Sequence, residues 1–385
     1  MERFDVAVVG AGPAGCLAAW RLARAGARVA ILDGSHPREK PCGGGVTRRA
    51  LDLVRDAVDC GALDAAVIRG ASFENGPHTV RVPLDAPSSS SPELLIAPRE
   101  RFDAALLTAA HAAGAVHIDA RVTDVRHDAT DWVVTTRGSR VRARWVLGAD
   151  GVNSLVRRRA SRPFARADLS IATGFFVRGV SSADIAIAFE AHPPGYLWSF
   201  PRRDHLAVGI CAQADDASAS ALIPLASRWI ARNVPARATL QRYSWPIPSL
   251  REATARRERP AGPGWMLLGD AGGMVDPITR EGIFFALLSA EHAAESLIER
   301  DGDPAVRYVE RLRATVYDEL VRGARFKTRF FNPRFTTLLI RALEKSTAVR
   351  AVMVDLIAGR LSYRGLRRRL LATLELRLLI EMLKR

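Results

Sequence analysis

The sequence is poor in cysteine, in lysine and in long apolar runs, and these shortages exclude several classes of protein. Its 385 residues include four cysteines that lie far apart in the chain, Cys16, Cys42, Cys60 and Cys211. They have neither the paired spacing of a zinc site nor the density of a secreted disulfide scaffold. We therefore expect no metal site and a reducing, cytoplasmic compartment. No run reaches the roughly 20 apolar residues of a membrane helix, and the charged Arg3 and Asp5 argue against an apolar leader.

The length and the overall composition are those of a globular protein with more than one domain. Hydrophobic residues make up 48% of the chain and charged residues 25%, which is the usual balance of a soluble fold. A chain of this length exceeds what one hydrophobic core usually supports. We therefore expect a cofactor domain and a second domain built around it.

The net charge of +15 is concentrated near the C-terminus. Residues 321–385 contain 16 basic and 4 acidic side chains, and the remainder of the chain carries only +3. Such a segment suits an anionic membrane surface, an acidic protein donor or nucleic acid. We expect no nucleic acid, because the segment has no nucleic-acid motif and its arginines alternate with leucines at helical spacing. These leucines are Leu366, Leu370, Leu371, Leu374, Leu378 and Leu379. The alternative is a packed helix with a solvated arginine face.

The strongest chemical motif is a glycine-rich turn between an apolar strand and an alanine-rich helix that begins near Cys16. In the run Gly10-Ala-Gly12-Pro13-Ala14-Gly15, the first glycine permits a tight turn and the second lets the backbone approach a pyrophosphate. The third allows close helix packing, and the helix N-terminus offers free N–H groups to the phosphate. Asp33 ends the next strand, 18 residues after Gly15, where a carboxylate can bind ribose hydroxyls. The pattern predicts a βαβ dinucleotide site.

Two later segments resemble FAD signatures. The run from Leu267 to Ile283 is similar to the second FAD signature of glutathione-reductase-like flavoproteins, and Trp145 to Arg157 resembles the Asp-Gly element of flavin monooxygenases and their relatives. This resemblance implies FAD as the cofactor. It also implies a set of further cofactor-binding residues: Arg99 near the pyrophosphate, Val122, Asp150, Asp270 on the ribityl chain, Pro277, Gly282 and Ile283.

A third motif names a family. The run Pro193-Pro-Gly-Tyr-Leu-Trp-Ser-Phe-Pro201 resembles the P-x-x-Y-x-W-x-F-P motif of the geranylgeranyl reductase family, and Lys40–Gly45 and Asp276–Thr279 match its other signatures. Members reduce C=C bonds in prenyl chains, with NADPH or ferredoxin as electron donor. The resemblance implies an apolar or lipid-like substrate. The basic C-terminal region would then bind an anionic membrane surface or an acidic ferredoxin. Binding to the membrane would place the protein peripherally on its inner face.

The resemblance also implies an α/β architecture with a discontinuous Rossmann-type FAD domain. We assign residues 1–165 and 255–300 to that domain and residues 166–254 to an inserted antiparallel sheet on the substrate side. Residues 301–385 form a basic helical region in this interpretation.

The candidate active site combines a thiol and three aromatic side chains. Tyr196, Trp198 and Phe200 alternate along a strand, so they project to one face and offer an aromatic wall to a flavin or an apolar chain. Ordinary core packing is the alternative for each of them. Cys42 lies in a glycine loop, with Gly43 and Gly45, that the resemblance brings to the isoalloxazine. We assign Cys42, Tyr196 and Trp198 to catalysis, with Cys42 and Tyr196 as candidate proton donors.

Arg280 departs from the family pattern, because relatives often carry glycine at this place beside the flavin. We therefore group Arg280 with Tyr196, Trp198 and Phe200 as substrate residues, and expect access or the bound ligand to differ.

Three other functions share parts of this pattern. A flavin monooxygenase contains the same glycine, Asp-Gly and Gly-Asp elements. A flavin halogenase needs a lysine in the flavin domain, but none of the four lysines, Lys40, Lys327, Lys345 and Lys384, lies where that lysine should be. A membrane-docked flavin-binding partner without turnover of its own is the alternative outside the enzymes.

Overall fold

The computed structural model describes residues 1–84, 92–236 and 238–372. The strands are β1 Glu2–Val9, β2 Val29–Leu32, β3 Gly45–Thr47, β4 Ala66–Val67, β5 Gly70–Asn75, β6 His78–Pro83, β7 Leu94–Ile96, β8 Val116–Ile118, β9 Val122–Asp128, β10 Asp131–Thr136, β11 Arg140–Gly148, β12 Leu169–Arg178, β13 Asp184–Ala191, β14 Pro194–Pro201, β15 His205–Gln213, β16 Thr239–Pro248, β17 Ala261–Gly262 and β18 Trp265–Leu267. The helices are α1 Pro13–Arg24, α2 Arg48–Val54, α3 Arg99–Ala112, α4 Leu155–Ala160, α5 Ala219–Asn233, α6 Glu252–Arg257, α7 Ile283–Ile298, α8 Pro304–Leu312, α9 Asp318–Phe330, α10 Pro333–Lys345, α11 Thr347–Ile357 and α12 Tyr363–Ala372.

Eight of the described strands form the first sheet, whose centre is parallel. Its order is β17-β18-β11-β1-β2-β8, and β10 and β9 extend it from the N-terminal half of β11. β1 lies between β11 and β2, parallel to both, so the carboxyl ends of these strands meet at one edge. This edge is where ligands bind in open α/β sheets. The Rossmann-type α/β fold predicted from the sequence is confirmed.

Both faces of this sheet are covered, which explains the nearly continuous apolar run of β1. Val6 and Val8 pack with α1, α3 and α7 in the largest apolar cluster, whereas Ala7 and Val9 pack with the β9–β10 hairpin and α4. Helix α1 begins at Pro13, three residues before the predicted start, because proline is well tolerated in the first turn of a helix.

The second sheet carries the aromatic motif. Seven described strands follow the order β16-β12-β15-β14-β13-β5-β6, and β13 and β5 pair in parallel while the other neighbours are antiparallel. β5 and β6 come from the first segment of the chain, so this sheet extends beyond the predicted range 166–254. β14 lies near the middle of the sheet, where pairing with β13 and β15 fixes its register and the side of the sheet that each side chain faces.

Every described element after β18 is a helix; besides α7 to α12 there are a 3-10 helix at Gly269–Gly272 and a π-helix at Arg313–Tyr317. Helix α10 buries Phe335, Leu339 and Ile340 against the second sheet and exposes Arg334 and Arg341 on its other side. The alternative of a packed helix with a solvated arginine face concerns the helix that carries Leu366, Leu370 and Leu371, and for that helix it stays a prediction. Leu374, Leu378 and Leu379 lie outside the described residues. Within the parts of the chain described, no helix is long and apolar enough to cross a membrane.

Candidate functional site

The glycine-rich turn lies at the carboxyl edge of the first sheet, between β1 and α1. Gly10 has a positive φ of 104°, and a Cβ there would lie 2.4 Å from the carbonyl oxygen of Ala149. A Cβ on Gly15 would lie 1.9 Å from the carbonyl oxygen of Gly10. Gly12 is different, because a Cβ there would meet only His36 Nε2, at 3.9 Å. The surface above Gly12 is therefore open, as the approach of a pyrophosphate requires.

Asp33 follows β2 and joins this turn to the rest of the site. Its carboxylate accepts a hydrogen bond from the Ala11 N–H at 2.9 Å and lies 2.8 Å from His36 Nδ1. Burial alone would raise the pKa of Asp33, but the hydrogen bond and charge of His36, with the Ala11 amide and the Ser35 hydroxyl, lower it below its usual value. Asp33 is therefore an ionised acceptor, suited to the ribose hydroxyls of a dinucleotide.

The Asp-Gly segment follows β11 and has an unused acceptor. Asp150 Oδ2 accepts the Leu155 N–H at 2.6 Å, whereas Oδ1 is buried and has no partner among the described residues. Burial raises the pKa of Asp150. A buried carboxylate oxygen without a donor is costly, so a bound hydroxyl or N–H at this place would be stabilising.

Arg157 ties the Asp-Gly segment to the second FAD signature. Its guanidinium forms a buried ion pair with Glu258, with Nη2 and Oε2 separated by 3.0 Å. It also donates to the carbonyl oxygen of Ala271 at 3.1 Å. The two FAD signatures, far apart in sequence, are therefore held together by one side chain.

Asp270 lies between the Cys42 loop and the start of α7. Lys40 Nζ lies 3.3 Å from its Oδ2, and a Cβ on Gly282 would lie 3.4 Å from its Oδ1. The absence of a side chain at Gly282 thus leaves the carboxylate accessible from the helix side. Together with the open glycine turn and the unpartnered Asp150 Oδ1, this arrangement fits FAD. Asp33 would hold the ribose, Gly12 the pyrophosphate and Asp270 the ribityl chain.

The Cys42 loop packs directly on the aromatic strand. A Cβ on Gly43 would lie 2.4 Å from the Phe200 ring, and Gly44 has a φ of 77°. Arg202, which is 1% exposed, donates to the Cys42 carbonyl oxygen at 3.2 Å and to Glu39 at 2.9 Å. The shape of the loop is therefore set by the residues at the end of β14.

Arg99 opens α3 and faces the Cys42 thiol. It is buried and forms two hydrogen bonds to Asp103, of 3.0 and 2.8 Å. Burial would lower the pKa of Arg99, but the charge of Asp103, assisted by Cys42, raises it above its usual value. The guanidinium therefore stays charged, and Asp103 balances its charge. Asp103 Oδ2 also lies 3.6 Å from His36 Nε2, which extends this network to the glycine turn.

Tyr196, Trp198 and Phe200 all lie on one face of β14, as their alternation indicates. The Tyr196 ring lies 5.9 Å from Trp198 and stacks on Phe331 at 6.2 Å. The Tyr196 hydroxyl donates to the Thr279 carbonyl oxygen at 2.6 Å. The aromatic wall therefore contacts both the Cys42 loop, through Phe200, and the loop that follows Asp270, through Tyr196.

The backbone of Arg280 adopts a left-handed conformation that glycine adopts readily and other residues adopt rarely. Its φ is 62°, a left-handed value that costs a residue with a Cβ about 1–2 kcal/mol. Its Nη1 donates to Ser249 Oγ at 2.5 Å and to the Pro277 carbonyl oxygen at 2.7 Å. Lys327 Nζ, from α9, donates to the same Ser249 Oγ at 2.9 Å. Burial and the charge of Arg280 lower the pKa of Lys327 to about 7.

The other residues expected at the site belong to several elements, and their role there stays a prediction. Pro13 and Ala14 form the first turn of α1, Gly45 begins β3, Val122 begins β9, Pro277 lies in the loop before α7, and Ile283 begins α7. Sequence reasoning missed His36, Arg202 and Lys327. Arg202 had a signal, since it directly follows the aromatic motif, but nothing marked His36 or Lys327.

Comparison with known proteins agrees with the geometry. A family model described as an FAD binding domain matches residues 3–260. Menaquinone reductase from Mycolicibacterium smegmatis is 32% identical over 322 residues, which is 76% of each chain. Geranylgeranyl diphosphate reductase from Rhodobacter capsulatus is 29% identical over 320 residues, 79% of this chain and 78% of that one.

One solved structure extends the likeness to the whole fold. A geranylgeranyl bacteriochlorophyll reductase-like protein from Thermoplasma acidophilum superposes with a TM-score of 0.80 and 22% identity. The match covers 97% of this chain and all of that chain.

Proposed function

Because this chain belongs to the geranylgeranyl reductase family of FAD-dependent oxidoreductases, we propose that it reduces carbon–carbon double bonds in a prenyl chain or a similar apolar substrate. The observation that carries the proposal is the aromatic wall. Phe200 touches the Cys42 loop and Tyr196 is bonded to the loop after Asp270, so an apolar surface joins the thiol to the flavin signature. An isoprenoid chain is a suitable ligand for such a surface.

FAD, when bound, supplies the hydride that adds to one alkene carbon after reduction by an external donor. The other alkene carbon needs a proton, and we assign its transfer to Cys42 Sγ. The thiol accepts a hydrogen bond from the Gly44 N–H at 3.3 Å, which fixes its position. Arg99 lies beside this thiol and is held in place by its two hydrogen bonds to Asp103, so we assign it a positioning role.

Tyr196 is the alternative proton donor, and its geometry is less favourable. Its hydroxyl already donates to the Thr279 carbonyl oxygen, and burial raises its pKa well above the usual value. We therefore assign Tyr196 and Trp198 to the wall that holds the substrate, with Cys42 as the acid.

The first prediction distinguishes reduction from oxygenation. Anaerobic protein with bound FAD, reduced by dithionite and mixed with a prenylated substrate, should give a product heavier by two hydrogens for each bond reduced. Mass spectrometry of the product measures this directly. A product heavier by one oxygen and formed only in air would show a monooxygenase. Failure of the bound FAD to accept electrons from any donor would favour the flavin-binding partner without turnover.

The sequence gives one argument about the electron donor. Outside the Gly10–Gly15 turn, no second glycine fingerprint follows a strand. We propose that NADPH binds transiently on the flavin domain, with ferredoxin as the alternative donor.

We propose that the basic C-terminal region docks on an anionic membrane surface, where a lipid-like substrate would be found. Arg329, Arg334, Arg341 and Lys345 are exposed on α9 and α10, and none of them forms an ion pair with a described carboxylate. An acidic ferredoxin is the other partner that this charge suits.

The second prediction tests docking by salt and by charge removal. The protein should sediment with vesicles that contain anionic lipid, and raising the salt concentration should weaken this binding by screening. The triple variant Arg334→Gln, Arg341→Gln, Lys345→Gln should bind less while keeping its FAD. Binding that is insensitive to salt, or no binding at all, would favour a C-terminal region that only packs on the core.

A further inference from the structure

We propose that Tyr308, Tyr317 and Tyr363 are positioning residues for FAD, so that the helical C-terminal region is part of the cofactor site. Each of them lies on a helix that follows α7, and each donates its hydroxyl hydrogen to the second FAD signature. The inference goes beyond the proposed function, because it concerns the cofactor and not the substrate. It applies to a reductase and to a monooxygenase alike.

Most of the tyrosine hydroxyls in this chain converge on that one signature. The sequence contains five tyrosines, and four of them donate to residues 267–279. In chain order, the acceptors and the hydroxyl oxygens that donate to them are the carbonyl oxygen of Leu267 and Tyr308 (2.8 Å), the carbonyl oxygen of Gly272 and Tyr317 (2.7 Å), Asp276 Oδ1 and Tyr363 (2.9 Å), and the carbonyl oxygen of Thr279 and Tyr196 (2.6 Å). Three of these four donors belong to the helical C-terminal region, which therefore holds the signature at three separate points.

Regular secondary structure fixes only part of the signature. Apart from the 3-10 helix at Gly269–Gly272, residues 268–282, all of which the structure describes, form neither a helix nor a strand. Buried carbonyl groups along the signature therefore need partners from other parts of the chain. The bonds that Tyr308 and Tyr317 donate are buried, and the two residues are 0% and 1% exposed, so water cannot take the place of either hydroxyl.

All three hydroxyls stay protonated, as hydrogen-bond donors must. Burial raises the pKa of Tyr308, Tyr317 and Tyr363 above the value of a free tyrosine, and at Tyr363 the charge of Asp276 raises the pKa further. At neutral pH, none of the three bonds is lost by ionisation.

Tyr363 ties the last described helix directly to the signature. Its N–H donates to Glu319 Oε2 at 2.7 Å, which fixes the start of α12 against α9. Its ring packs on Gly323 in α9, where a Cβ would lie 2.9 Å from the Tyr363 ring and 2.9 Å from the Pro277 ring. Glycine inside a helix is destabilising relative to alanine. The close approach of Tyr363 and Pro277 to α9 gives a physical reason for the glycine at this position.

The hydroxyl of Tyr363 reaches the turn that leads towards α7. Asp276 Oδ1 also accepts the N–H groups of Ile278 and Thr279, at 2.8 and 2.7 Å, so this carboxylate organises the turn. Asp276 is 6% exposed, and a buried carboxylate that loses a donor is destabilised. The turn continues to Gly282, which the resemblance places at FAD. Removing the Tyr363 hydroxyl should therefore loosen the backbone next to a predicted cofactor-binding residue.

Phenylalanine substitutions test the inference one hydroxyl at a time and keep each ring. The freed backbone must be ordered again whenever FAD binds, so each loss should weaken binding. We expect Kd for FAD to rise about 3- to 10-fold in Tyr308→Phe and Tyr317→Phe, and about 10- to 100-fold in Tyr363→Phe, where the acceptor is a carboxylate. Serial dilution of the full-length holoprotein, followed by the fluorescence of released FAD, measures Kd.

Tyr243→Phe is the matched control, because the fifth tyrosine bonds elsewhere. Its buried hydroxyl donates to the Val208 carbonyl oxygen at 3.0 Å, within the second sheet. The substitution should lower the midpoint of thermal unfolding and leave Kd for FAD unchanged. If the other three variants behave in the same way, with a lower midpoint and an unchanged Kd, their tyrosines have only a structural role and the inference is overturned.

Tyr363→Phe decides the matter alone if the two deeply buried positions do not tolerate phenylalanine, since Tyr363 is only half-buried. The visible absorption spectrum of the bound FAD should also shift in this variant, because the surroundings of the flavin change, and should not shift in Tyr243→Phe. An unshifted spectrum together with an unchanged Kd would overturn the inference. Since no substrate is present in these measurements, that result would leave the proposed reaction standing.

Discussion

Replacing Gly12 by alanine should give a folded protein that has lost most of its FAD. The backbone of Gly12, with φ of −75° and ψ of −177°, is one that alanine adopts freely. The added methyl would meet only His36 Nε2, at 3.9 Å, so the fold has room for it. It would occupy the surface that a pyrophosphate must approach. We expect the affinity for FAD to fall about 10- to 100-fold, the equivalent of an overpacking cost of about 1–3 kcal/mol.

Alanine substitutions at two other glycines, Gly15 and Gly138, separate an effect on FAD binding from an effect on packing. In Gly15→Ala the methyl would lie 1.9 Å from the Gly10 carbonyl oxygen, a backbone atom, so both folding and FAD binding should be lost. In Gly138→Ala the methyl meets nothing within 4 Å, and neither should change. Flavin absorbance after purification and thermal unfolding of the apoprotein measure the two effects. Full FAD occupancy in Gly12→Ala would show that the pyrophosphate does not pass over this turn.

Replacing Cys42 by serine should preserve FAD binding and slow turnover by about 100- to 10,000-fold, the usual contribution of a general acid. Serine fits the space of the thiol, but its hydroxyl is a much weaker acid. A serine alkoxide is too unstable to form at neutral pH, so the hydroxyl cannot replace the thiol as a proton donor. Dithionite should reduce the flavin in the variant as in the parent, because reduction of the flavin does not use the thiol.

Two further substitutions test the assignment of the acid. Cys60→Ser changes a half-buried thiol on a surface turn away from the site and should leave turnover unchanged. Tyr196→Phe removes a hydroxyl that is committed to Thr279 and should cost less than Cys42→Ser. A Tyr196→Phe enzyme slower than Cys42→Ser would reverse the assignment, and unchanged turnover in Cys42→Ser would make Cys42 a spacer.

The parts of the site that could be predicted from sequence are those in which local chemistry decides the structure. The turn around Gly10 needs a positive φ and a close approach of backbone atoms, and only glycine provides both. The alternation of Tyr196, Trp198 and Phe200 determines their common face as soon as the segment forms a strand. Asp33 is placed by the length of the βαβ unit. In each case, the residue pattern that carries the signal lies within one short segment of the chain.

The rest depends on contacts between segments that are distant in sequence. Nothing around β5 indicates that it pairs in parallel with β13, since strand pairing is decided by the packing of the complete sheet. The convergence of Arg280 and Lys327 on Ser249 needs a loop, a helix and a strand end to meet in space. The resemblance places Arg99 near a pyrophosphate, and this stays a prediction; within the chain Arg99 pairs with Asp103 and lies beside Cys42.

The pairing of β18 with β11 has a consequence for when FAD can bind during synthesis of the chain. β11 pairs on one side with β1, which comes from the start of the chain. On its other side, Val146–Gly148 of β11 pairs with Trp265–Leu267. Asp270 comes shortly after Leu267 in the sequence. During synthesis, the glycine turn therefore emerges long before the carboxylate expected to hold the ribityl chain, and the whole second sheet is made in between. Domains generally fold as units from the N-terminus onward, so complete FAD capture would come after the strands of the second sheet have been synthesised. A chain that holds its FAD through Asp270 has therefore been synthesised past every described strand of both sheets.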